Sequence, residues 1–150
     1  MTQTQGSPRP VQDMVADRPT PQPDDQSAPF WEACARGELL AQRCAECGRF
    51  RFPPRPTCPR CRSFAVTWER LAGTGRIWSW IRAHPPLLPA FAAMAPYVSV
   101  VVELDEDPVH LRMVGLLEGD ADAEPAIGDP VRVEFEPVGD VVLPRWRRAG

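Results

Sequence analysis

At 150 residues, the chain is long enough for one modest domain or for a small barrel with a stapled subdomain, and too short for a large enzyme fold with its own deep cleft. Its formal net charge of -3 argues against a general nucleic-acid binder. The charge is also segregated, with six arginines and one acid from Arg43 to Arg62 against eleven acids and two arginines from Glu103 to Glu136, so a basic end and an acidic end are expected.

Residues 1–26, rich in Gln, Pro, Asp and Ser, show no periodic apolar face and read as a flexible tail. Order is expected to begin at Ser27, which can cap a short helix carrying Phe30, Trp31 and Cys34, within an N-terminal helical segment over 27–42. Such a helix is too short to stand alone, so its aromatic face must pack on the rest of the chain or on another protein.

Cys44-x-x-Cys47 is followed, after ten residues, by Cys58-x-x-Cys61. Two knuckles of this kind supply four soft thiolates, the set that tetrahedral zinc takes, and a structural Zn2+ site over 43–63 is expected; iron in the same tetrahedron is the chemical alternative. A site closed by four protein ligands leaves no position for a reacting water, so the motif does not argue for zinc catalysis. Cys34 is left over and reads as a small packing residue.

From Phe64 onward the pattern becomes that of strands, and 64–150 reads as a closed barrel. Phe64, Val66 and Trp68 alternate; Arg76 to His84 forms a second strand, ended by Pro85, Pro86 and Pro89. Further strands are expected at Tyr97 to Leu104, Val109 to Leu116, Val131 to Phe135 and Val141 to Leu143, with Asp105 to Pro108 as a turn. Between them Leu87, Leu88, Phe91 and Met94 make a proline-stiffened loop, more apolar than a hairpin loop that faces water. It is expected to cover an interface or line an apolar passage.

Phe30-Trp31, Gly37-x-Leu39, Gln42-Arg43-Cys44-x-x-Cys47-Gly48 and Pro53-Pro54-Arg55-x-x-Cys58-Pro59-x-Cys61 together resemble the DUF35 family, the acyl-CoA-associated OB-fold proteins. The resemblance continues through Gly75-Arg76-Ile77-Trp78-Ser79-Trp80, Gly128-Asp129-Pro130-Val131 and Leu143-Pro144-Arg145-Trp146, and covers about residues 28 to 150. It implies a mostly β fold: a short N-terminal helix, a rubredoxin-like four-cysteine zinc ribbon and a C-terminal OB-fold barrel. It also implies a non-catalytic accessory subunit of a thiolase-superfamily enzyme. The expected partner is a lipid-transfer-protein-like retro-aldolase acting on steroid side-chain acyl-CoA, in a heterotetramer with two copies of each chain. A condensing thiolase or hydroxymethylglutaryl-CoA synthase is the alternative partner, and a single-stranded nucleic-acid module the alternative class.

Arginine forks suit phosphates, so Arg49, Arg51 and Arg55 are candidates to contact CoA, unless they only keep the ribbon soluble. His84 and Phe91 are candidates at the apolar loop; His84 also reads as a loop residue bonded to backbone. No nucleophile accompanies either histidine, and no catalytic residue is assigned. No apolar run approaches the roughly 18 residues of a membrane span and the first thirty residues carry no signal-peptide core, so a cytoplasmic chain without membrane contact is expected.

Overall fold

The computed structural model describes residues 18–85, 88–120 and 122–150. Residues 1–17 of the tail expected over 1–26, and Pro86 and Leu87 of the apolar loop, lie outside the described residues.

The helix α1 spans Ala28–Ala35. Phe30, Ala33 and Cys34 are its buried residues, and their i, i+3, i+4 spacing puts them on one face, packed against the strand Leu39–Cys44 and the last barrel strand. Ser27 holds the N-cap position but does not cap with its side chain; its N–H and hydroxyl both donate to Asp24 Oδ1, at 2.8 and 2.6 Å. The helix ends where Gly37 takes a φ of +74°, with Gly37 N–H donating to Cys34 O and Glu38 N–H to Ala33 O, the paired bonds of a Schellman stop. The chain before the helix is also placed: Arg18 pairs with Glu136 at 3.4 Å, and Thr20 lies beside Gly139.

Two sheets follow. The first is antiparallel in the order β2–β1–β3, from β1 (Leu39–Cys44), β2 (Phe50–Arg51) and β3 (Val66–Leu71). β3 carries the alternating Val66 and Trp68 assigned above to the barrel. Instead it pairs along β1 from Leu39↔Leu71 to Cys44↔Val66 and so belongs to the ribbon. Alternation announces a strand but not its neighbour.

The second sheet is a closed barrel in the order β4–β5–β6–β8–β7, from β4 (Thr74–Ala83), β5 (Tyr97–Leu104), β6 (Arg112–Glu118), β7 (Pro130–Val138) and β8 (Val141–Arg148). Every pairing is antiparallel except the short parallel contact of β6 with β8, Leu117↔Trp146. This is the five-stranded OB arrangement. Val98, Val100, Val102 and Leu104 of β5 point inward and meet Ile77, Leu111, Met113, Val131 and Trp146 in one core. β8 runs five residues beyond the expected Leu143. Its end is held partly by charge: Arg147 Nε donates to Glu134 Oε1 at 2.6 Å, and Arg148 approaches Asp129 at 3.5 Å.

Candidate functional site: a four-thiol centre and an apolar cleft

The two knuckles are built alike. Cys44 N–H donates to Arg49 O and Gly48 N–H to Cys44 O; Cys58 N–H donates to Ser63 O and Arg62 N–H to Cys58 O. These turns bring the Sγ atoms of Cys44, Cys47, Cys58 and Cys61 within 4.8 Å of one another, with 3.5 Å between Cys44 and Cys61 and 3.6 Å between Cys47 and Cys58. Four sulfurs about 2.3 Å from a tetrahedral zinc stand ~3.8 Å apart, so the donor set fits that ion by number, softness and spacing. The backbone N–H of Cys61, then that of Arg60, hold the Cys58 thiol down to about 6, and the N–H of Cys47 lowers Cys44. The N–H of Ser63 favours the Cys61 thiolate, but crowding by Cys44 and the other two sulfurs pushes that thiol up to about 12. A cation at the centre relieves this crowding. Arg43 braces the first knuckle from β1, its Nε donating to Gly48 O at 2.8 Å and its Nη1 to Glu69 at 2.9 Å.

The second feature is a cleft of about 630 Å3 where helix, ribbon and barrel meet. Phe30 and Trp31 come from α1, Phe52 to Pro54 from the ribbon, and Tyr97, Ser99 and 113–116 from β5 and β6. Leu143 to Arg145 of β8 close one side and Arg18 to Asp24 border another. Phe91 enters from the apolar loop, its ring 5.8 Å from that of Tyr97. Sequence reasoning saw the aromatic helix face and the apolar loop but not that they face one cleft. Nor did it mark Arg18 or Arg145 as parts of it, since their distance along the chain hides the meeting.

The other sequence candidates are dispersed. Arg49 lies with Cys47, Gly48 and Arg60 across a polar cavity of about 520 Å3 from Asp107 and His110. Arg55 is exposed beside Gln42, Phe64 and Trp68. Arg51, expected among the surface arginines, is instead 2 % exposed, because the register of β2 with β1 turns it inward; its three guanidinium nitrogens have no hydrogen-bond partner among the described residues. His84 is exposed just past the end of β4. His110 sits in a turn rather than on a strand, its Nδ1 3.0 Å from Asp107.

Residues 31–67 match the family model described as the rubredoxin-like zinc ribbon domain of ChsH2, and residues 68–136 match its C-terminal OB-fold domain. The chain belongs to the ChsH2 family of DUF35 proteins. A solved chain of an "Ltp2-ChsH2(DUF35) aldolase" is 39 % identical; it superposes with a TM-score of 0.77 over 87 % of this chain and 100 % of that one. A "Probable enoyl-CoA hydratase alpha subunit" of Thermomonospora curvata is 41 % identical over 133 residues, 88 % of this chain. The "3-oxo-4,17-pregnadiene-20-carboxyl-CoA hydratase alpha subunit" of Mycobacterium tuberculosis is 33 % identical over 126 residues, 84 % of this chain. This ChsH2-like chain covers only 40 % and 39 % of those two curated relatives. The four-cysteine ribbon and OB barrel of the family are thus both present, and the ribbon supports a structural metal. No helix among the described residues is long and apolar enough to cross a membrane.

Proposed function

We propose that this chain is the accessory subunit of a thiolase-superfamily, lipid-transfer-protein-like enzyme that cleaves a carbon–carbon bond in acyl-CoA substrates, steroid side chains among them. The observation that carries the proposal is the likeness, over 87 % of this chain and at 39 % identity, to a chain of an aldolase named for two components. Zinc would hold the ribbon as a rigid shoulder, and the partner would supply the reacting groups.

The outer barrel surface supports a docking role. Register places Ile81, Ser99 and Leu116 in one row across β4, β5 and β6, and Ser79, Val101 and Val114 in the next. Ile81 is 64 % and Val114 66 % exposed, an apolar face with few charges. The charges at its border are matched: Arg112 donates to Glu103 at 2.9 Å while its guanidinium lies 4.1 Å over the Trp78 ring. Such a surface suits a protein better than a phosphate chain. The half-buried Arg49 and the exposed Arg55 would meet CoA phosphates, and His84 and Phe91 would border the acyl passage.

Co-expression with a lipid-transfer-protein-like thiolase tests the reading. The expected result is a complex with the mass of two copies of each chain, which cleaves a steroid side-chain acyl-CoA only when both are present. A partner that is soluble and fully active alone, and never binds this chain, would refute it.

A further inference from the structure

We infer that the cleft between helix, ribbon and barrel is a small-molecule site of this chain alone, for an elongated apolar ligand ending in a carboxylate. Every wall belongs to this chain; Ser99, Val114 and Leu116 also lie on the face offered above to a partner, but binding to the isolated chain goes beyond that reading and does not depend on it.

The body of the site is apolar and stiff. Rings from Phe30, Trp31, Phe52, Phe91 and Tyr97 line it together with prolines. Its volume of about 630 Å3 falls within the range of about 300–1,000 Å3 that small-molecule sites occupy. It lies partly on the outward face of β5 and β6, the second and third barrel strands, where OB folds receive their ligands. The aromatic and aliphatic lining excludes a phosphate backbone and suits a hydrocarbon.

The polar end is defined by two arginines that share one carboxylate, Glu136. Arg145 lines the cleft at 3 % exposure; it pairs with Glu136 through Nη2, while its Nε is 3.6 Å from Glu118 and makes no hydrogen bond among the described residues. Arg18, also lining the cleft, gives one Nη1 bond to the thioether of Met94 at 2.9 Å, a weak acceptor, and a long Nη2 bond to Glu136 at 3.4 Å. Buried donors of this kind normally find acceptors. Two guanidiniums that share Glu136, one of them with an Nε that makes no hydrogen bond among the described residues, suit a ligand with oxygen lone pairs at one end, and a carboxylate matches the arginine fork best.

The zinc-loaded full chain is titrated with decanoate below its micellar concentration, and with decanol and methyl decanoate, by calorimetry and tryptophan fluorescence. Saturable one-to-one binding of decanoate is expected, at least tenfold tighter than decanol or the ester. Ser99→Phe, which places a ring in the cleft from an outward strand position, is expected to weaken it at least tenfold while leaving the melting curve and zinc content unchanged. Absence of saturable binding to the folded protein overturns the inference. Equal affinity for decanol overturns the arginine end, and full affinity in a folded Ser99→Phe overturns the location. Should this variant instead unfold, Leu143→Phe serves as the second filling variant, read by the same criteria. A chain that binds no decanoate yet still activates a partner enzyme separates failure here from failure of the proposed function.

Discussion

Gly48 and Arg62 occupy the same place in two copies of one turn. Each follows a CxxC pair, each donates its N–H to the first cysteine of its knuckle, and both have positive φ, +73° and +63°. Glycine holds this conformation freely, whereas a residue with a Cβ pays about 1–2 kcal/mol for it. Gly48→Ala should therefore destabilise the ribbon by about 1 kcal/mol. Arg62→Gly should stabilise it by a few tenths up to about 1 kcal/mol, the relief of strain being partly offset by glycine's greater freedom when unfolded. Denaturant unfolding of the zinc-loaded protein measures both, and opposite signs at the two sites are the outcome that counts.

Gly115, in the cleft wall, and Trp146 approach each other closely. A Cβ at Gly115 would stand 2.8 Å from both Cδ1 and Nε1 of the indole and 3.3 Å from Pro144 O. The indole is fully buried and cannot withdraw. Gly115→Ala is expected to cost about 1–3 kcal/mol, as overpacking of a filled core does. A melting temperature equal to that of the parent would show that the strand yields.

Cys34 differs chemically from the other four cysteines. Burial pushes its thiol up to about 12. With metal bound, no fast-reacting thiol is expected at pH 8; a chelator should release four, and Cys34 should react only on global unfolding. The folded value exceeds the unfolded one, so the folded state retains the proton longer. The stability Cys34 contributes by this shift is complete below the ordinary thiol range near pH 9 and falls as pH rises toward 12. Cys34→Ala should flatten that part of the alkaline unfolding profile.

The outward barrel face can be tested without disturbing the core. Ile81 is 64 % exposed and does not line the cleft, so Ile81→Asp should change the stability of the isolated chain by less than about 0.5 kcal/mol. In a complex that covers the face, a buried unpaired carboxylate is costly, and association with the partner should weaken at least tenfold. Sedimentation of the mixed subunits measures it; an unchanged affinity would move the interface elsewhere.

Most of the architecture was legible because its signals are local. CxxC spacing names its own ligands, β5 is a valine-rich run from Tyr97 to Leu104 bounded by Pro96 and Asp105, and Gly37 stops a helix whose buried face repeats at helical spacing. β8 was cut short at Leu143 because Pro144 and the following arginines interrupt the apolar pattern, and the acids that hold them lie on other elements. Arg51 was misplaced for a related reason: in a two-residue strand, only pairing with β1 decides which way a side chain turns.

By itself the sequence determined the four-thiol centre, the strand-rich barrel and the family to which both belong, since each is written in residues close together along the chain. Only the tertiary structure decided that β3 joins the ribbon, that Arg18 and Arg145 meet, and that helix, ribbon and barrel enclose an aromatic cleft. Strand partners and cavity walls depend on contacts between residues far apart in sequence, and such contacts exist only once the chain has folded onto itself.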